Sequence, residues 1–149
     1  MKKLATFLFL SLLTLAVSAQ TKEDVLKDYT GPVFEFETEV IDYGEIAANS
    51  DGNRIFKFKN VGKSPLIINS VKGSCGCTVP TKPEAPIMPG ETGEIKVKYA
   101  TNRIGPFSKT VTINSNAYEE TKVLRIKGRV LEQGDELQKK KSVVSSDNG

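Results

Sequence analysis

The chain contains no histidine and no tryptophan, and among its 149 residues there are only two cysteines and two methionines. The missing imidazole excludes the largest group of reactions. Ser-His-Asp and Cys-His nucleophiles need it as their base, and the usual catalytic zinc sites need it as a ligand. There is no Gly-rich phosphate loop and no recognisable carboxylate pair, so an enzyme is not expected and no cofactor is expected. Charge is also nearly absent as a signal. The 21 Lys and Arg against 18 Asp and Glu give +3, and two of those lysines, Lys2 and Lys3, lie in a segment expected to be removed, which leaves +1. A clustered basic footprint for nucleic acid is lacking.

What is present begins with an export signal. Lys2 and Lys3 precede an apolar run over residues 4–17 that is too short to span a bilayer comfortably. Val17-Ser18-Ala19 then has the small-residue pattern of a cleavage site, expected between Ala19 and Gln20. No cysteine follows the run, so a lipid anchor is not expected. The mature protein is expected in the periplasm or outside the cell, with no membrane span. Residues 20–32 are a polar leader, residues 33–131 a folded domain, and residues 132–149 a polar, disordered tail poor in core-formers.

The folded part reads as short strands. In residues 33–40, Phe34, Phe36 and Val40 alternate with Glu35, Glu37 and Glu39, as in a half-buried strand. The apolar phase then slips to Ile41 and Tyr43, so a bulge is expected near residues 40–41. Phe56 and Phe58 alternate with Lys57 and Lys59. Residues 66–71 form a nearly continuous apolar run, read as a strand covered on both sides. Four prolines in residues 80–90 predict coil throughout. Ile95, Val97 and Tyr99, then Phe107, Val111 and Ile113, then Leu124, Ile126 and Val130 are the expected inner rows of three later strands. No helical period is convincing. The reading is an all-β, immunoglobulin-like antiparallel sandwich of about seven strands.

Charge adds one expectation about pairing. The glutamate row of the first strand should lie against Lys57 and Lys59, because that strand beside the later one that carries Lys96 and Lys98, without acids, would repel. Arg125, Lys127 and Arg129 form a second basic row, read as a solvated, edge-protecting row, with an acidic partner as the alternative.

The order of Asp42-Tyr43-Gly44-Glu45-Ile46, Phe58-Lys59-Asn60-Val61-Gly62, Pro65-Leu66-Ile67-Ile68, Ser74-Cys75-Gly76-Cys77-Thr78, Pro86-Ile87-Met88-Pro89-Gly90-Glu91, Gly105-Pro106-Phe107-Ser108-Lys109-Thr110 and Ser115-Asn116-Ala117 resembles the secreted bacterial family called domain of unknown function 1573. That family is an immunoglobulin-like sandwich related to the major-sperm-protein-like group. The resemblance runs over about residues 33–130. It implies fold, export and bacterial origin, and makes the cysteine loop part of the family signature. It brings no catalytic or ligand residues with it.

Cys75 and Cys77 are the candidate site. Fully extended, residues two apart lie about 6.5–7 Å from each other, at the far edge of disulfide geometry; Gly76 allows a positive φ and a tighter bend. Four uses are open. The pair is structural, as buried thiols or a loop disulfide; or redox-active, with Lys72 and Lys82 supplying positive charge; or a soft-metal site for copper or zinc with Met88 as third ligand; or a nucleophile, for which no base is available. The structural use is the expectation. The functional reading is an exported, non-catalytic module, structural or protein-binding, expected to be a monomer with an unidentified protein or cell-envelope partner met through end loops or a strand edge. The alternative is a small redox or copper protein working through residues 75–77.

Overall fold

A computed structural model describes residues 28–132. The expected signal peptide, most of the expected leader and all but the first residue of the expected tail lie outside the described residues. Eight strands follow one another: β1 (Phe34–Phe36), β2 (Val40–Ala47), β3 (Asn53–Asn60), β4 (Ile68–Gly73), β5 (Thr78–Thr81), β6 (Thr92–Tyr99), β7 (Gly105–Ser115) and β8 (Thr121–Leu131). They form two four-stranded sheets, β1-β3-β6-β5 and β2-β8-β7-β4. The inner rows come from strict alternation. Phe56 and Phe58, Ile95, Val97 and Tyr99, Val111 and Ile113, and Leu124, Ile126 and Val130 are all buried. Two aromatic groups fill the space between the sheets. Phe34, Phe36 and Phe58 lie together at one end; Phe107 stacks on Tyr99 at 3.8 Å and meets Tyr43 edge-on towards the other.

The phase slip after Val40 marks a change of sheet. β1 pairs antiparallel with β3, while β2, only three residues further on, pairs with β8 in the other sheet. The chain keeps its direction as it crosses, so β2 runs parallel to β8, and the sandwich is mixed at that one pair. Thr38 fixes the crossing by accepting from the Val40 amide and donating to the Val40 carbonyl. The bulge lies further along, between Asp42 and Glu45. There Gly44 has φ 63°, a region an L side chain rarely enters, and donates its amide to Asp42 Oδ1.

Two more expectations change. Leu66 and Ile68 are buried while Ile67 is exposed, so the 66–71 run is covered on one side only, and β4 is an edge strand. Pro80 is no barrier to β5, because β5 is the edge of its sheet and the missing amide costs no ladder bond there. The glutamate–lysine pairing stands in part. Glu35 is opposite Lys59, and the Glu37 amide bonds the Lys57 carbonyl, but Glu39 crosses over to Lys122 at 2.6 Å. The two lysine strands do lie side by side, in a register that sets Glu94 opposite Lys57.

Tyr43 gives the fold a pH limit. Its hydroxyl donates to the Gly52 carbonyl at 2.9 Å in the interior. Burial pushes its pKa up to about 12, although the Arg54 guanidinium, 4.2 Å over the ring, works the other way. A raised folded-state pKa means that this contribution is whole below the unfolded value of about 10 and is lost between about pH 10 and 12. Absorbance titration should show Tyr43 ionising late, near pH 12, with Tyr99 also raised by its burial. Tyr43→Phe should cost about 1 kcal/mol at neutral pH and should flatten the loss of stability above pH 10. Tyr43 ionising near pH 10, the ordinary value of a tyrosine, would contradict this placement.

Candidate functional site

The cysteine loop is the corner where the chain leaves the edge of one sheet, β4, for the edge of the other, β5. Its backbone is tied on three sides. The Ser74 amide bonds the Thr110 carbonyl, and the Thr110 amide bonds Ser74 Oγ. The Thr78 amide closes the turn on the Cys75 carbonyl at 3.1 Å, and the Ala100 amide bonds the Cys77 carbonyl at 2.9 Å. Gly73 passes so close to the Thr78 carbonyl that a Cβ at that position would overlap it.

Inside this corner Cys75 and Cys77 form a disulfide with Cα atoms 5.2 Å apart, shortened from the extended spacing as the bend requires. Gly76 does this without entering the positive-φ region, where only Gly44, Gly90 and Gly105 among the described glycines are found. A bridge over so short a loop removes little chain entropy, about 1.5 kcal/mol on the loop-closure relation. Cys77 is buried and Cys75 half-buried. The Thr78 hydroxyl lies 3.7 Å from Cys75 Sγ and 3.9 Å from Cys77 Sγ.

The other residues singled out in the sequence are not gathered here. Lys72 stands opposite Thr112 on the outer face of its sheet. Lys82 pairs with Glu84 at 3.7 Å. Met88 lies just before β6 and Cys77 bonds the residue just after it, so the eight residues of β6 put roughly 25 Å between them. Met88 is therefore no third ligand to the cysteine sulfurs. Arg125, Lys127 and Arg129 project from β8, which lies between β2 and β7 and is not an edge. Acids on β2 answer this row: Asp42 pairs with Lys127 at 3.2 Å, and Glu45 is level with Arg129. The Gly44 amide, and Lys127 after it, hold the Asp42 carboxyl below its ordinary range.

A second constellation is built around Asn60, which continues the inward row of Phe56 and Phe58 and is completely buried. Its Oδ1 accepts from the amides of Val33 and Gly62, and its Nδ2 donates to the carbonyls of Ser64 and Ile87 at 2.8 and 2.9 Å. Its own backbone bonds Glu91 and Gly90. Further bonds close a ring around this pole: Tyr118 to Pro32, Lys63 to Gly31, Leu66 with Ile87, and Asn116 with Ile67. Gly31 and Pro32, assigned to the leader from sequence, are built into this ring. Val61, Ile67, Met88 and Tyr118 project from it, each at least 40% exposed.

In sequence, Asn60-Val61-Gly62 has the composition of a loop. Two signals were available: an asparagine in the phase of a buried row, and a glycine two residues later, the spacing at which an asparagine side chain accepts a backbone amide. The two long-range partners, Val33 and Ile87, have no local signature.

The profile of a family described as protein of unknown function (DUF1573) matches residues 34–130. None of the curated proteins compared with the chain matches it. Among solved structures, a protein of unknown function from Porphyromonas gingivalis W83 is similar with a TM-score of 0.59 at 16% identity, over 66% of this chain and 46% of that one. This chain thus spans about half the length of that protein. PapD-like domain 7 of human CEP192 is similar with a TM-score of 0.53 at 10% identity, over 70% of this chain and 89% of that one. The CsuC–CsuE chaperone–tip adhesion subunit complex of Acinetobacter baumannii gives 0.50 at 13% identity, over 66% and 57%. At these identities the likeness is one of fold.

Proposed function

The chain belongs to the family of proteins of unknown function DUF1573, and on that footing we propose that it is an exported, non-catalytic immunoglobulin-like module that binds a protein of the cell envelope through the pole organised by Asn60. The observation that carries this reading is the combination of exposed apolar side chains with a rigid frame. Isolated apolar residues on a surface need no explanation. Here four of them, Val61, Ile67, Met88 and Tyr118, stand on segments tied to one another by backbone bonds and by a buried asparagine. Side chains held on a fixed backbone lose little freedom on binding, which is where association otherwise loses much of its gain. A tyrosine and a methionine among them fit the composition of interface centres. End loops of a sandwich are also a common place for recognition. Export is supported by the basic start, short apolar run and cleavage pattern of residues 1–20.

The test is site-specific photo-crosslinking of the full chain in the cells that make it. A photoreactive residue at position 88 or 118 should yield a discrete crosslinked species, and one at position 127, on the outer face of β8, should not. Met88→Ser combined with Tyr118→Ser should weaken capture of that species about tenfold or more. Equal crosslinking at all three positions, or none at 88 and 118, would remove the pole from the account.

A further inference from the structure

The Cys75–Cys77 bridge is poorly explained as a structural staple, since the corner is already held by four backbone or backbone–side-chain bonds and the loop it closes contains one residue. Its surroundings suit sulfur chemistry better. Cys75 is the more open of the two residues, Gly76 is exposed, and a Cβ placed at Gly76 would meet nothing within 4 Å. The Ser74–Thr110 bonds carry the β4–β7 ladder one residue past the Gly73–Val111 pair, so the next residue of β7 on the side of Cys75 is Lys109. Lys109 is the one charged residue of β7, half-buried in the row otherwise occupied by Phe107, Val111 and Ile113. A thiolate at Cys75 would thus have an ammonium on the neighbouring strand and the Thr78 hydroxyl as a donor.

We propose that Cys75–Cys77 is a thiol–disulfide exchange site that accepts electrons from a thiol-bearing partner, with Cys75 as the sulfur attacked and Lys109 as the positioning charge. This is independent of the use of the Asn60 pole. In the forward direction a partner thiolate attacks Cys75 Sγ and forms a mixed disulfide. The Cys75–Cys77 bond breaks, and its electron pair leaves on Cys77, which takes up a proton; the Thr78 hydroxyl can donate to that thiolate as it forms. A second partner thiolate attacks the partner sulfur of the mixed disulfide and releases Cys75 as a thiolate. The sum is one protein disulfide and two partner thiols giving one protein dithiol and one partner disulfide.

The experiment uses the full chain with dithiothreitol as the probe. Two thiols should appear at neutral pH while the far-ultraviolet circular dichroism and the slow exchange of the Thr110 and Ala100 amides persist. Thiols that appear only in step with unfolding would overturn the proposal. With glutathione disulfide as the probe, Cys77→Ser should gain a mixed disulfide at Cys75 about tenfold or more faster than Cys75→Ser gains one at Cys77; equal rates would overturn the assignment of Cys75. In the Cys77→Ser background, Lys109→Met should shift the pH profile of that reaction upward and slow it about three- to tenfold at neutral pH, with Lys109→Arg restoring it. An unmoved profile would remove Lys109 from the site.

Discussion

Replacing Asn60 with alanine should cost about 3–5 kcal/mol, lowering the denaturant midpoint with little change in its slope. The side chain is fully buried and satisfies four backbone groups at once: two amides, from Val33 and Gly62, and two carbonyls, from Ser64 and Ile87. Truncation leaves those groups facing an apolar interior next to the Phe58 layer, and a buried polar group left unpaired costs more than the bond was worth on balance. Against a net stability of about 5–15 kcal/mol for a domain, this one substitution is close to the limit of what the fold can lose. Asn116 gives the control. It also makes two side-chain bonds, to the Ile67 amide and the Pro65 carbonyl, but it is exposed. Water can replace it, so Asn116→Ala should cost about 1 kcal/mol. Equal losses for the two variants would mean that Asn60 is not the hub of the pole.

Gly73→Ala should cost about 2–3 kcal/mol, the range of a forced overpacking. The reason is the close approach of β4 to β5 across the corner. An added Cβ would overlap the Thr78 carbonyl, which belongs to backbone and cannot rotate away. Thr78 is held in place by its pairing with Tyr99 and by the turn onto Cys75. Relief would require the whole corner, with its disulfide, to move outward from the sandwich. Gly76→Ala, one turn away in open space, should change stability by less than about 1 kcal/mol. The contrast separates a glycine required by a close approach from one that merely sits in a loop, and denaturant unfolding of the two variants measures it.

The parts of this fold that depend on neighbouring residues were legible in the sequence. Phe56 and Phe58, Ile95 through Tyr99, and Leu124 through Val130 show their buried faces by period alone, because a strand facing a core on one side must alternate. The local change of phase at Val40–Ile41 was legible as well, but its meaning was not. A bulge and a switch between sheets both flip the face, and only the partners, β3 for one half and β8 for the other, tell them apart. Pro80 has the look of a breaker in sequence because its edge position depends on the strand order. Lys109 sits in the phase of Phe107, Val111 and Ile113, an observable anomaly whose sense comes only from the corner opposite it. Asn60 is the clearest case. A polar side chain at the end of an apolar row reads as the end of the row, whereas its four bonds reach residues up to 27 positions away.

The stretch around Cys75 and Cys77 drew attention from the sequence as the chain's one concentration of soft chemistry. In the fold it is a corner whose backbone holds itself. That leaves the disulfide available for exchange, while the binding reading rests on the pole at the opposite end of β6.

Amide hydrogen exchange on the free protein tests the central claim, that the Asn60 pole is a rigid platform and not a set of loops. The amides of Val33, Gly62, Ile67, Ile87 and Tyr118 should exchange as slowly as those of Val97 and Ile126 in the central strands, and should lose that protection together in Asn60→Ala. Exchange of these five at the rate of exposed turns in the unaltered protein would contradict the account.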